Sequence, residues 1–174
     1  MENKKIKQIT IADNERFLRQ LSMPVDIERD KKLLEDIKVL EDFCKENEVM
    51  AMAAIQLGIP KRYFVIVHEQ EEKETFKNYV LINPRIISTS EEMIYVEEGE
   101  GCLSVNREVE GIVPRCARVT IEGYDMDGNK VKYRGREELA VAFQHELDHL
   151  NGIMFTDRID KDDPYKNADI YRAI

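Results

Sequence analysis

Tryptophan is absent, and histidine and cysteine are scarce at three residues each. No apolar run approaches the ~20 residues a spanning helix needs, so neither a membrane segment nor a membrane partner is expected. The opening MENKKIKQIT is basic but leads into no apolar stretch, which is not the pattern of a secretory leader. An odd number of cysteines at irregular spacing fits reduced thiols better than a disulfide framework, and the expected compartment is the cytoplasm. Positive charge is in deficit as well: 26 Lys and Arg face 35 Asp and Glu, a formal net charge of −9. That balance argues against a protein whose whole surface holds DNA or an anionic membrane, and leaves room only for a local basic patch.

What is present describes an ordinary folded chain. Hydrophobic residues make up 43% and charged residues 35% of 174 residues, too apolar for a disordered chain. No repeat and no Pro- or Ser-rich linker divides the chain, so a single domain over residues 1–174 is expected. A domain of this size buries roughly 70% of the surface its unfolded chain exposes, enough for a core without disulfides.

The N-terminal third reads helical. Asp13 or Asn14 can cap a short helix running to about residue 21, which Pro24 ends. Over residues 30–44, Leu33, Leu34, Ile37, Leu40 and Phe43 form one apolar helical stripe. The middle reads β. Residues 63–67 form one strand, and 79–82 with 86–87 form a second around Asn83-Pro84. The charged stretch 68–74 reads as a loop by composition. Residues 93–96 and 112–124 are further strands, and Asp127-Gly128-Asn129 turns the chain into another at 130–134. Residues 137–150 return to helical spacing, with Asn151-Gly152 as the stop. Strands and helices segregate rather than alternate, so the expected class is α+β, with small antiparallel sheets around a central C-terminal helix.

That helix carries His145-Glu146-Leu147-Asp148-His149. Two imidazoles four residues apart share one helix face and can grip a single divalent ion. Glu146 follows the first of them and can serve as general base toward water at that ion. The plainer alternative is a pair of solvent-facing histidines. A catalytic ion usually has three protein ligands, so a third is expected from Asp, Glu, His or Cys elsewhere. His68 abuts the charged stretch and reads as an exposed strand-end residue, while Cys44 and Cys116 read as small core residues. Cys102 is different: glycines at 99 and 101 precede it, and such backbone permits close approach to a ligand. A Cys-His-His set is acceptable to Fe²⁺, Zn²⁺, Ni²⁺ or Co²⁺.

Gln144-His145-Glu146-Leu147-Asp148-His149, preceded by Glu100-Gly101-Cys102-Leu103-Ser104, resembles the peptide deformylase family. Its members remove the formyl group from the N-formyl-methionine of new chains. The family's remaining motif, Gly-x-Gly-(aliphatic)-Ala-Ala-x-Gln, has a degenerate counterpart at residues 49–56, where Val49 and Ala51 replace the glycines. Residues 98–104 and the longer segment 105–115 resemble the Gram-positive, type 2 branch. The resemblance implies Fe²⁺ as the native ion at Cys102, His145 and His149, and an oxyanion held by the Gln56 amide and the Leu103 backbone N–H. It implies that Glu100 supports the loop by hydrogen bonds, although one more solvated acid of the run Glu97, Glu98, Glu100 is the alternative.

A cramped site would accept formyl and reject acetyl. Val141 and Ala142 lie four and three residues before His145, where they either line the methionine slot or simply pack the core. Met50 is a further candidate for the slot. The family pairs the motif around Ala51 and Gly101 with the substrate backbone, so a methyl at Ala51 is expected to narrow the channel or shift it slightly. Val49 is expected to take a β or helical backbone. Asn106 stands where the branch has Asp, and Glu110 where it has Pro. The expected substrate is the N-formyl-Met nascent peptide, with transient proximity to the ribosome implied by that substrate alone. Two alternatives remain open: a paralogue that binds metal and peptide without turnover, and an HExxH peptidase with a third His or Glu ligand.

Overall fold

A computed structural model describes residues 6–70 and 75–174. The chain begins with helix α1 (Ile11–Leu18), and Thr10 caps it rather than Asp13 or Asn14. Asp13 instead sits in the first turn and reaches back to the Thr10 backbone N–H at 2.9 Å, which closes a reciprocal capping box. The helix stops at Leu18, short of residue 21, because the Arg19 N–H already closes its last turn onto Glu15. Helix α2 (Leu33–Glu46) buries Leu33, Ile37, Leu40 and Phe43, leaving Leu34 exposed.

The large sheet has five strands: β1 (Ala51–Ala53), β2 (Tyr63–Gln70), β3 (Thr75–Thr89), β6 (Arg118–Tyr124) and β7 (Lys130–Arg136), in that spatial order and all antiparallel. A smaller sheet has β4 (Met93–Tyr95) between β5 (Arg115–Cys116) and β8 (Arg172–Ala173). Its β8 runs parallel to β4, an exception to the antiparallel expectation.

Three stretches of the β region differ most from the sequence reading. Residues 68–70 pair with 75–77, so part of the charged stretch is strand: ladder pairing overrides its polar composition. The other residues of that stretch, 71–74, lie outside the described residues. The two segments around Asn83-Pro84 are one strand with a bulge, where Asn83 turns to φ +52 and its amide brackets the Val25 backbone. Finally, residues 112–114 are not strand. Pro114 lacks an N–H, and at Ala117 the chain crosses from the small sheet to the large one, with its N–H on Glu92 and its C=O taken by Glu137.

Helix α3 (Glu137–Leu150) matches its expected bounds. It packs on the face of the large sheet that presents Ala53, Phe64, Ile66, Leu81 and Ile121. On the opposite face, Met52, Tyr63, Val65 and Val80 meet α2, so the β1–β3 half of the sheet is covered on both sides. Gly135 brings α3 close: a Cβ there would stand 2.8 Å from the Phe143 ring. Gly152, at φ +72, ends α3 against the Arg19 carbonyl, where no side chain fits. The acidic segment 160–163 is solvated but folded, since Asp160 accepts the N–H groups of Asp162 and Asp163 and binds Lys166 Nζ at 2.8 Å.

Candidate metal centre and cleft

One turn of helix separates His145 from His149, and their rings lie 5.0 Å apart. The loop after β4 carries Cys102 to them, its Sγ 3.3 Å from His149 Nε2. One donor atom from each of Cys102, His145 and His149 lies within 4.8 Å of the others. Such a triangle suits one ion bonded at ~2.0–2.3 Å to each donor.

The electrostatics of the triad suit an ion as well. Burial holds the His149 imidazole well below its ordinary pKa, hence neutral, the form a metal requires. Burial opposes protonation of His145 too, but hydrogen bonds to Cys102 and Glu100 outweigh it and push that pKa to about 10. A metal ion bound at His145 takes the place of that ring proton. His145 Nδ1 meets Glu100 Oε2 at 2.7 Å, an orienting contact of the kind metal-binding histidines use.

Glu100 in turn takes a two-pronged grip from Arg115, at 2.7 and 2.9 Å. Arg115 is 1% exposed and also donates to Asp148 at 2.6 Å; Asp148 is held from its other side by Arg158. Burial pushes the Glu100 carboxyl up, yet Arg115 and His145 prevail and hold it at about 2. Sequence reasoning missed Arg115, Asp148 and Arg158. A charged residue inside the apolar-alternating stretch 112–124 was the available signal for Arg115, and the intervening acid of the histidine motif was the signal for Asp148.

Glu146 is 3% exposed and borders the same space, its Oε2 buried without a hydrogen-bond partner. Burial lifts its pKa to about 7. Gln56, on a 3-10 turn directly after β1, accepts the Ala53 N–H through Oε1. Its Nε2 lies 3.0 Å from Ser104 Oγ and 3.7 Å from Cys102 Sγ. The amide is thus fixed in orientation, with its N–H₂ toward the cysteine loop.

A cleft of about 590 Å³ opens beside these groups, lined by Met50, Ala51, Leu103, Val141 and Ala142 among others. Leu103 is 39% and Met50 48% exposed, while Val141 and Ala142 are buried on α3. Gly101 also borders the cleft, with nothing within 4 Å of where its Cβ would be. Val49 packs against the α2 core, and the left-handed residue is Glu48, at φ +53. Ala51 opens β1, the edge strand nearest the cleft. Of the remaining candidates, Cys44 is buried, with its thiol pushed up to about 12 by that burial. Half-buried Cys116 exchanges two backbone hydrogen bonds with the Gln144 amide. His68 lies in β2.

The family model described as "Polypeptide deformylase" matches residues 6–165. A peptide deformylase of Shouchella clausii is 41% identical over 169 residues, spanning 90% of this chain and 92% of the relative. "Peptide deformylase 2" of Geobacillus stearothermophilus is 39% identical over 171 residues, spanning 91% and 92%. Among solved structures, the class I type b peptide deformylase of Acinetobacter baumannii, bound to Met-Ala-Ser, superposes with a TM-score of 0.76. It is 29% identical, and the match covers 88% of this chain and 98% of that one.

Proposed function

The chain belongs to the polypeptide deformylase family, with Bacillus-type relatives among its matches, and on that premise we propose how its residues divide the work. The reaction is hydrolysis of the N-formyl group from N-formylmethionyl nascent polypeptides, releasing formate and a free N-terminal methionine. The observation that carries the assignment of roles is the close grouping of Cys102, His145 and His149, with buried Glu146 beside them, where Cys102, His145 and Glu146 line one cleft.

Cys102, His145 and His149 hold one divalent ion, natively Fe²⁺, in a site that Zn²⁺, Ni²⁺ or Co²⁺ also fits. When bound, the ion polarises the formyl carbonyl and acidifies water. Glu146 takes the proton from the attacking water and returns it to the leaving amine. One carboxylate does both best with a raised pKa, and burial pushes the Glu146 carboxyl up in that direction. The Gln56 amide and the Leu103 backbone N–H donate to the oxygen that becomes negative. Glu100 and Arg115 keep His145 in the right tautomer and orientation.

The peptide backbone adds to the free edge of β1 at Ala51, facing Gly101, as extended peptides add to other sheet edges. The methionine side chain lies against Val141, Ala142 and Met50. Val49 borders the cleft at its α2 side and packs partly into the α2 core, so its side chain adds apolar lining beside this pairing. The peptidase alternative loses its distinguishing feature: among the described residues, a cysteine, not a third His or Glu, completes the ligand group. Action on nascent chains places the enzyme in the cytoplasm and, transiently, near ribosomes.

The test is formate release by metal-replete protein from a formyl-Met tripeptide and acetate release from its acetyl counterpart. Formate alone is expected. No formate release would overturn the reading in favour of a binding paralogue, and equal release from both would overturn the cramped-site argument.

A further inference from the structure

The solvent face of the large sheet carries a charge pattern opposite to that of the whole chain. In β7, alternation sends Lys130, Lys132, Arg134 and Arg136 outward, all exposed, while Val131, Tyr133 and Gly135 turn to the core. The ladder extends this pattern inward. Arg136 lies directly opposite Arg118, and Lys132 opposite Glu122, which itself pairs with Arg85. Glu122 is answered by Arg85 and Lys130, and Arg118 by Glu92. Among the described residues, Lys132, Arg134 and Arg136 make no ion pair. At this end of the sheet, Arg118, Arg134 and Arg136 join Ser88, Thr89 and Thr120 around a concavity of about 380 Å³.

Protecting an edge strand from stray pairing explains a lysine or two on β7. It does not explain an arginine opposite another arginine of which only one, Arg118, has an acidic partner, or a hydroxyl-lined hollow between guanidinium groups. Guanidinium and hydroxyl groups together are the donors that phosphate oxygens take. The face is also uncovered: α2 shields only the β1–β3 half of this side. The cleft lies with α3 beside β1, at the opposite edge, so a partner on β6–β7 would leave it open.

We propose that the outer face of β6 and β7 docks RNA through its phosphate backbone. This rests on the deformylase reading for its purpose: the substrate is a nascent chain, and the particle that makes it has an RNA surface. An anionic membrane fits less well, because the outward row of β7 offers no apolar side chain to insert.

The experiment uses metal-replete full-length protein and a fluorescently labelled RNA hairpin, with anisotropy read from about 50 to 200 mM salt. Binding should weaken steeply across that range. Lys132→Glu with Arg134→Glu should weaken it at least about tenfold and lower the log–log salt slope by about two. Formate release from a formyl-Met tripeptide should be unchanged. Lys7→Glu with Lys161→Glu makes the same change of net charge away from this face, and should leave RNA binding intact. No binding by the parent protein at low salt would overturn the proposal, as would equal weakening by the control pair. Binding to vesicles of anionic phospholipid but not to RNA would overturn it in favour of a membrane. Persistent RNA binding with no formate release would support the docking face and overturn the catalytic reading alone.

Discussion

Arg115→Met removes the one guanidinium that holds Glu100 and Asp148 together in the interior. Arg115 is 1% exposed, and the side chains it pairs with are 3% and 6% exposed. Truncating one member of such a buried ion pair costs about 3–5 kcal/mol, because the partner stays charged and unpaired. The Glu100 carboxyl gives an independent scale. Its pKa is held at about 2 against an ordinary 4.5, and at ~1.4 kcal/mol per unit that depression is on the order of 3 kcal/mol. For a chain of this length the loss should lower Tm by roughly 6–20 °C. Arg158 still grips Asp148, so the damage should centre on Glu100 and its hold on His145. The sign with pH is fixed as well. Because the folded pKa of Glu100 is depressed, its stabilisation is complete above pH 4.5 and is lost as pH falls toward about 2. The gap in stability between parent and variant should therefore narrow over that window. Thermal or urea unfolding of both proteins from neutral to acid pH measures it. A Tm within 2 °C of the parent at pH 7, or a gap that widens in acid, would refute the argument.

Other consequences are simpler to read. Cys102→Ser replaces a soft thiolate with a weak donor, so metal content after dialysis should fall sharply; unchanged stoichiometry would remove Cys102 from the ligand set. Acting as base, Glu146 must be deprotonated, and burial places its pKa at about 7 before a bound cation lowers it. The kcat/KM profile should therefore fall as pH drops through the acid range, and a profile that stays flat to the acid limit of the folded protein would contradict the assignment. Gly135→Ala sets a methyl 2.8 Å from the Phe143 ring. About 1–3 kcal/mol of destabilisation is expected by urea titration, with metal binding retained.

The helix with the histidine motif was legible to the residue, since a 3.6-residue apolar period, a glycine stop and no competing signal all coincide there. The strand at 68–70 was not, because a polar hairpin is specified by its partner strand, whose pairing no local composition reveals. The cap of α1 was misplaced by a few residues for a related reason. Asp13 and Thr10 are both good caps, and only the reciprocal geometry chooses between them. In the candidate site, the imidazoles and Glu146 stood out by helical spacing and Cys102 by its neighbouring glycines, whereas Gln56 came only through the family resemblance. Arg115 did not stand out: it is sequentially distant from Glu100 and Asp148, and only the crossing of the chain between two sheets brings the three together. The basic row of β7 was written in plain alternation, but the net charge of −9 concealed it.

Glu146→Gln puts the division of labour to the proof. The amide keeps the shape and the burial of the carboxyl but can neither take a proton from water nor return one to the amine. With metal content matched to the parent, formate release from a formyl-Met tripeptide should fall by at least about two to four orders of magnitude, the range general acid–base catalysis contributes. A variant that keeps its metal and hydrolyses the peptide at the parental rate would show that Glu146 is not the proton carrier.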